Sequence, residues 1–267
     1  MSKLQEVFEN KIHKSLFVPY FSLGDPNYSL SIEWGKSILD AGADILELGI
    51  PFSDPIADGP VIQKSYKRAL DNEVFSFEKI FFTTEKIHSH NPNIPIIYLT
   101  YLNPIIQYGL EKFFDKAHSV GVAGIVIPDL PFDTVDYKNI YKISQALEID
   151  LINLITPSTT KSRMKDMKQY ASGFIYYVTS FGVTGERKAL SKDLSSRIQK
   201  VKEIMKIPVC AGFGISTPEQ AEEISHFADG VIIGSAIQKI IEENYKNPDY
   251  CKYLLYNFIN SIRKKML

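Results

Sequence analysis

Short apolar segments recur along the chain, each followed by a polar loop and then by a stretch in which apolar residues have helical spacing. Eight such segments are present, at residues 17–21, 45–50, 96–100, 125–128, 151–155, 174–178, 208–211 and 230–234. Their apolar residues do not alternate strictly with polar ones, which is typical of parallel strands buried on both faces. The pattern therefore predicts eight strands of a parallel sheet.

Helical spacing predicts helices between these strands, at residues 29–40, 60–71, 110–120, 192–205 and 218–227. Three extra helices are predicted, at residues 4–13, in the second unit at 77–90, and at the C-terminus at 249–265. Strand and helix alternate without a linker or a change of composition. This favours an α/β fold consisting of one (β/α)₈ TIM barrel domain over residues 1–267, with an open sheet as the alternative.

Composition and charge limit the classes of function. The chain has 30 Lys and Arg against 31 Asp and Glu, a formal net charge of -1, and 45% hydrophobic residues. Such a chain has no excess of positive charge to hold nucleic acid or an anionic membrane. The N-terminus lacks the apolar stretch of a secretory signal, and Cys210 and Cys251 are too few for a disulfide scaffold. We expect a cytoplasmic protein with two reduced thiols.

Acidic residues cluster in the second strand and in the loop after it. A barrel of this kind places its chemistry at the C-terminal ends of its strands and in the loops that follow them. Glu47 lies inside an otherwise apolar segment, and Asp58 follows eleven residues later in a loop stiffened by Pro and Gly, with Asp54 between them. A glutamate in such a strand is unfavourable unless it faces a polar cavity. Asp54 and Asp58 are also common turn residues, and Asp129, at the end of the fourth strand, could be a loop cap. Glu47 is therefore the strongest catalytic candidate.

Glycine-rich loops follow the sixth, seventh and eighth strands, at residues 182–185, 211–216 and 234–236. Glycine lets backbone N–H groups approach an anion closely, and barrels often bind phosphate after strands seven and eight. The order of these loops predicts a phosphate site. The five histidines form no metal-binding spacing, so no metal is expected.

One long motif closely resembles the signature of the tryptophan synthase alpha subunit family. It is Leu46-Glu-Leu-Gly-Ile-Pro-Phe-Ser-Asp-Pro-Ile-Ala-Asp-Gly-Pro-Val-Ile-Gln63. The resemblance covers essentially the whole chain through shorter motifs at residues 21–26, 101–104, 128–131, 180–185 and 212–216. It implies retro-aldol cleavage of indole-3-glycerol phosphate to indole and glyceraldehyde 3-phosphate, the last stage of tryptophan biosynthesis.

The resemblance also implies roles for individual residues. Glu47 matches the catalytic glutamate and Asp58 the catalytic aspartate of the family. The matched positions of the binding site are Leu99 and Tyr176 at the indole pocket, Gly185, Gly214, Gly234 and Ser235 at the phosphate, and Thr184 in a mobile loop. Asp54 and Asp129 match positions tied to loop ordering and communication with the partner.

The implied partner is the beta subunit, in an alpha2beta2 heterotetramer. The cofactor, pyridoxal phosphate, is expected in that subunit, and none is expected in this chain. Two segments depart from the family pattern: Lys64 to Lys67, including Tyr66, where the family more often carries smaller polar residues facing the partner, and Tyr20 with Phe21 at the indole wall.

Two other classes of function stay open at this point. One is a different phosphate-binding barrel enzyme, such as an isomerase or epimerase of sugar phosphates, which would need other catalytic residues. The other is a non-catalytic activator of a partner enzyme, which would be expected to lack Glu47 or Asp58.

Overall fold

Eight parallel strands form a closed barrel in the computed structural model, which describes residues 1–11, 13–179, 187–212 and 214–267, without the side chains of 187–192. Each strand pairs with the next along the chain, and the eighth pairs with the first. The strands are β1 (Leu16–Ser22), β2 (Leu46–Gly49), β3 (Ile96–Leu99), β4 (Val122–Val126), β5 (Asp150–Ile155), β6 (Ile175–Val178), β7 (Val209–Gly212) and β8 (Gly230–Ile233). The predicted barrel is confirmed, and the open-sheet alternative is wrong.

Helices follow the strands and cover the outside of the barrel, except the N-terminal helix, whose Leu4 and Phe8 pack against inward-facing residues of the strands. In the described residues they are α1 (Lys3–Glu9), α2 (Tyr28–Asp40), α3 (Pro60–Asn72), α4 (Phe77–His88), α5 (Leu102–Tyr108), α6 (Leu110–Ser119), α7 (Val135–Ala146), α8 (Lys161–Met167), α9 (Arg187–Met205), α10 (Pro218–Ser225), α11 (Ser235–Asn244) and α12 (Pro248–Met266). The extra helices at the N-terminus, in the second unit and at the C-terminus are confirmed as α1, α4 and α12.

Helix boundaries differ from the prediction mainly at the ends. The predicted N-terminal helix at 4–13 ends at Glu9, and α9 begins five residues earlier than predicted. Helices α5, α7, α8 and α11 have no counterpart among the predicted ranges. Helix α5 was missed because Pro104 breaks the apolar pattern there. Proline is nevertheless tolerated in the first turn of a helix, where its missing N–H would have no partner.

The barrel has an inner and an outer apolar layer because neighbouring residues of a strand point to opposite faces. On β1, Val18 and Tyr20 point inward, whereas Phe17 and Phe21 pack against the helices. The pairing register places Tyr20 of β1 beside Glu47 of β2. The strand pattern alone therefore turns Glu47 toward the interior.

Candidate active site

Glu47 is a buried carboxyl group without a hydrogen-bond partner in the described part of the chain. Its neighbours Leu46 and Leu48 belong to the outer apolar layer, and Glu47 itself is 1% exposed. Neither of its carboxyl oxygens has a hydrogen-bond partner among the described residues. An unpaired buried carboxylate is strongly unfavourable, so this group is expected to hold its proton.

Burial, together with repulsion from Asp58, raises the pKa of Glu47 to about 8. A group with this pKa is mostly protonated at pH 7. Glu47 can therefore donate a proton near neutral pH and accept one back, which is what a general acid and base must do.

Asp58 lies in the loop after β2, immediately before α3, and has a hydrogen-bond donor that Glu47 lacks. The hydroxyl of Tyr101 donates to Asp58 Oδ2 at 2.6 Å. Burial raises the pKa of Asp58 to about 6, and the hydrogen bond from Tyr101 opposes this rise. At pH 7 Asp58 is mostly ionised while Glu47 is mostly protonated, so the two carboxyl groups differ in charge.

Tyr101 fixes the loop as well as the carboxylate. Its hydroxyl oxygen accepts a hydrogen bond from the backbone N–H of Ala57 at 3.1 Å, and its ring packs against Phe52 at a centroid distance of 5.1 Å. The side chain of Gln63 donates to the carbonyl oxygen of Asp58 at 2.9 Å. Sequence reasoning missed Tyr101 as a site residue, although its place just after β3 was a usable signal.

Seven of the residues predicted for the site line one cavity at the C-terminal end of the barrel. They are Glu47, Asp58, Leu99, Tyr176, Gly214, Gly234 and Ser235. The cavity has an empty volume of about 580 Å³, part of which is open to solvent. Thr184 and Gly185 lie outside the described residues.

One end of the cavity, lined by Gly214, Gly234 and Ser235 and called the glycine end, has the features of an anion site. Gly234 precedes the first residue of α11, so the N-terminus of this ten-residue helix faces the cavity and favours negative charge. Gly214 has φ +74°, a conformation that other residues rarely adopt. A Cβ at Gly234 would lie 2.9 Å from Cδ1 of Tyr20. Only a glycine therefore fits between Tyr20 and the cavity.

Asp54 and Asp129 lie outside this cavity. Asp54 is exposed and accepts a hydrogen bond from Ser53 Oγ at 2.5 Å. Asp129 is half-buried, and its Oδ1 accepts from the backbone N–H of Leu102 at 2.9 Å, at the start of α5. Since Tyr101 precedes Leu102, a short path of covalent and hydrogen bonds joins Asp129 to Asp58.

A second cavity adjoins the first on the side of β4 and β5. It has an empty volume of about 1090 Å³ and shares Asp58, Leu99 and Tyr176 with the first cavity. Arg163 and Phe132 line its outer part, with the guanidinium 4.6 Å from the ring centroid. The indole wall predicted from the sequence therefore borders two connected spaces.

Tyr66 lies elsewhere than the sequence suggested. It was expected at the surface facing a partner, but it is fully buried against the barrel and bonded to Tyr20. Its neighbours Lys64 and Lys67 are exposed. The departure from the family pattern therefore changes the interior beside β1 as well as the surface.

The part of the chain that the structure describes has neither a metal-ligand cluster nor a membrane-spanning helix. No group of three or more His, Cys, Asp or Glu side chains there is arranged to hold a metal ion. None of the described helices is long and apolar enough to span a membrane.

Two carboxyl groups in different surroundings, an apolar wall and a helix N-terminus border one barrel cavity. This is the arrangement expected of a (β/α)₈ enzyme that uses acid–base chemistry on a phosphorylated substrate. The family model of the tryptophan synthase alpha chain matches residues 8–266. The chain therefore belongs to the tryptophan synthase alpha chain family, as the sequence resemblance predicted. It is a carbon–carbon lyase of tryptophan biosynthesis.

Individual relatives are similar to this chain over nearly all of its length. The chain is 56% identical to the tryptophan synthase alpha chain of Leptospira biflexa over 263 residues, 98% of each chain. It is 43% identical to that of Halalkalibacterium halodurans, over 91% of this chain and 89% of the other. The crystal structure of tryptophan synthase subunit alpha from Legionella pneumophila superposes with a TM-score of 0.90 at 32% identity, covering 100% of this chain and 98% of the other.

Proposed function

We propose that Glu47 and Asp58 carry out the cleavage of indole-3-glycerol phosphate in this chain. The observation that carries the proposal is that both carboxyl groups line one cavity in different surroundings. Glu47 is buried without a hydrogen-bond partner among the described residues, whereas Asp58 accepts a hydrogen bond from Tyr101. Retro-aldol cleavage needs both a proton donor and a fixed negative charge, and these two groups supply them.

The substrate spans the cavity from the glycine end to the indole wall. Its phosphate lies at the N-terminus of α11, by Gly214, Gly234 and Ser235, where backbone N–H groups and the helix dipole favour an anion. By resemblance, Gly185 also belongs to the phosphate site, and Thr184 belongs to a loop that closes over the substrate. The indole ring lies between Leu99 and Tyr176, beside Asp58.

The proposed reaction begins with proton transfer from Glu47 to C3 of the indole ring. Asp58 accepts a hydrogen bond from the ring N–H and stabilises the positive charge that develops there. Glu47, now a carboxylate, removes the proton of the hydroxyl group next to the ring. The carbon–carbon bond then breaks, its electron pair returns to the ring, and indole and glyceraldehyde 3-phosphate result.

The beta subunit is the proposed partner, in an alpha2beta2 complex. Pyridoxal phosphate belongs to that subunit, and no step assigned here to this chain uses it. Asp54 and Asp129 are proposed to transmit docking of the partner to Asp58. Asp129 has a direct route through Leu102 and Tyr101, whereas Asp54 lies exposed in the loop itself.

The role of Asp54 is tested by measuring cleavage against increasing beta subunit. Asp54→Ala should lower the stimulation by the partner more than the basal rate, because loop ordering speeds closure of the site. Equal stimulation of Asp54→Ala and of the unsubstituted chain, with complex formation verified by sedimentation, would contradict this role.

Two broader proposals concern the chain as a whole. We propose that residues 1–267 form a single domain, which the continuous barrel and the nearly full-length match to relatives support. We also propose that the protein acts in the cytoplasm, as its two free cysteines suggest. Limited proteolysis and cell fractionation test these proposals.

Indole release from indole-3-glycerol phosphate tests the reaction itself. The chain should release indole, Glu47→Gln should reduce turnover by ~10²- to 10⁴-fold, typical of a lost general acid or base, and binding of glycerol 3-phosphate should be retained. Near-normal turnover of the variant would show that Glu47 is not the proton shuttle.

A further inference from the structure

A chain of four buried hydroxyl groups connects β1 with α3 beside the cavity. Tyr20 Oη donates to Tyr66 Oη at 3.0 Å and lies 3.0 Å from Ser22 Oγ. Ser22 Oγ lies 2.6 Å from Ser65 Oγ, and Ser65 Oγ donates to the carbonyl oxygen of Ile62 at 2.7 Å. We call Tyr66, Tyr20, Ser22 and Ser65 the hydroxyl chain.

The two elements that it joins are tied to the two catalytic carboxyl groups. Tyr20 and Ser22 belong to β1, which is bonded to β2 with Tyr20 beside Glu47. Ser65 and Tyr66 belong to α3, whose first residue comes two positions after Asp58. The position of α3 on β1 therefore influences where Asp58 lies relative to Glu47.

The side chain of Tyr20 also lies against two glycines, Gly234 after β8 and Gly49 at the end of β2. Its ring packs so closely on Gly234 that a Cβ there would lie 2.9 Å away. Its hydroxyl lies over Gly49, at the end of β2, where a Cβ would lie 2.1 Å from the oxygen. Small residues at both places leave room for this ring, which borders the same cavity as Glu47.

Packing alone would not need these hydroxyl groups. Two phenylalanines would fill nearly the same space, and burying polar groups is favourable only when their hydrogen bonds are satisfied. Hydrogen bonds do, however, fix distance and direction, which an apolar contact does not. Burial also raises the pKa of both phenols well above the ordinary value, so they stay neutral and remain donors.

We propose that Tyr20 and Tyr66 are positioning residues for the cleavage reaction: their hydroxyl groups, held by Ser22 and Ser65, fix α3 on β1 and so fix Asp58 relative to Glu47. This inference rests on the proposed function. Tyr66 does not line the cavity, so it acts through the elements it connects.

Three variants test the inference in the complex with the beta subunit. Tyr66→Phe removes one hydroxyl, and the double variant Tyr20→Phe with Tyr66→Phe removes both, which leaves neither phenol unpaired. Tyr98→Phe is the matched control, since its buried hydroxyl donates to Thr84 at 2.6 Å in the outer layer of the same barrel.

The expected result separates activity from stability. Replacing both partners of a buried hydrogen bond by apolar groups is nearly neutral for stability, so the double variant should unfold at a urea midpoint close to that of the unsubstituted chain. Its kcat should nevertheless fall roughly tenfold, with KM changed less than about twofold, since a misplacement of about 1 Å can lower a rate by up to ~10²-fold. Tyr98→Phe should keep its kcat.

Other results would overturn the inference. A double variant with kcat within twofold of the unsubstituted complex would show that the hydroxyl chain only packs the barrel. So would an equal loss of kcat in Tyr98→Phe. If the unsubstituted complex released no indole at all, the proposed function would fail, and this inference would fail with it.

Discussion

The hydrogen bond between Tyr101 and Asp58 gives a quantitative prediction for the pH dependence of the reaction. Productive enzyme carries an ionised Asp58 and a protonated Glu47, whose pKa values are about 6 and about 8. The profile of kcat/KM should therefore be bell-shaped, with its acid side set by Asp58 and its basic side by Glu47. The variant Tyr101→Phe removes the donor to Asp58 and keeps the ring.

The size of the effect follows from the geometry. The oxygen–oxygen distance of 2.6 Å is that of a charge-assisted hydrogen bond. Such a bond contributes ~1.5–3 kcal/mol, and one pKa unit corresponds to about 1.36 kcal/mol. Because the bond stabilises the ionised form, its loss should raise the pKa of Asp58. The acid side of the profile should move up from about 6 by roughly one to two units.

The assay is indole release at low substrate concentration between pH 5 and 9, in complex with the beta subunit. The control is Tyr98→Phe, which loses a hydrogen bond of the same length, 2.6 Å, to Thr84. Its acid side should stay in place. An acid side that does not move in Tyr101→Phe, or one that moves equally in both variants, would refute the assignment of this side to Asp58.

Three further predictions follow from the same site. Glu47→Gln should stabilise the fold, and the gain should grow with pH. The folded-state pKa of Glu47, about 8, exceeds its ordinary value of 4.5. Between pH 4.5 and 8 Glu47 is ionised in the unfolded chain but protonated in the folded one, so the unsubstituted protein loses stability as the pH rises. Urea unfolding at pH 5.5 and 7.5 should show a gain larger by about 2 kcal/mol at the higher pH, and equal gains would contradict the raised pKa. Asp58→Asn should lower kcat more than it raises KM and should move the basic side of the profile downward, because the charge that raises the pKa of Glu47 is gone; an unmoved basic side would argue against this coupling. Ser235→Ala should weaken binding of glycerol 3-phosphate but not of indole, measured by calorimetry. Equal weakening would mean that Ser235 shapes the cavity and does not hold the phosphate.

Ser235 is a better test of the phosphate site than the glycines. A valine at Gly214 would be strained by its φ of +74°, and a valine at Gly234 would collide with Tyr20. Either change would disturb the site whether or not phosphate binds there. Removing the hydroxyl of Ser235 leaves the backbone in place.

The barrel and Glu47 were predictable from the sequence because both depend on local patterns, whereas Asp58 had the pattern of a common turn residue and only the family resemblance gave it a role. Eight apolar segments without alternation indicated buried parallel strands. Glu47 stood out because an acid is unexpected in such a strand. The spacing of residues along β1 and β2 then turns Tyr20 and Glu47 to the same side.

Contacts between distant segments were not predictable in this way. Tyr101 and Asp58 are 43 positions apart, and only the closed barrel brings the hydroxyl within hydrogen-bond distance. The same applies to Tyr20 and Tyr66, which the sequence marked as departures without indicating that they form a bonded pair. Helix α5 was missed because Pro104 interrupts its pattern, although the first turn tolerates proline.

The most direct test of the central claim is single-turnover cleavage of indole-3-glycerol phosphate by the complex with the beta subunit, compared with Glu47→Gln and Asp58→Asn. The account predicts that the unsubstituted complex releases indole and glyceraldehyde 3-phosphate in equal amounts. It also predicts that both variants bind glycerol 3-phosphate with nearly unchanged affinity but cleave at least ~10²-fold more slowly. Cleavage by both variants at nearly the normal rate would contradict the assignment of the chemistry to these two carboxyl groups.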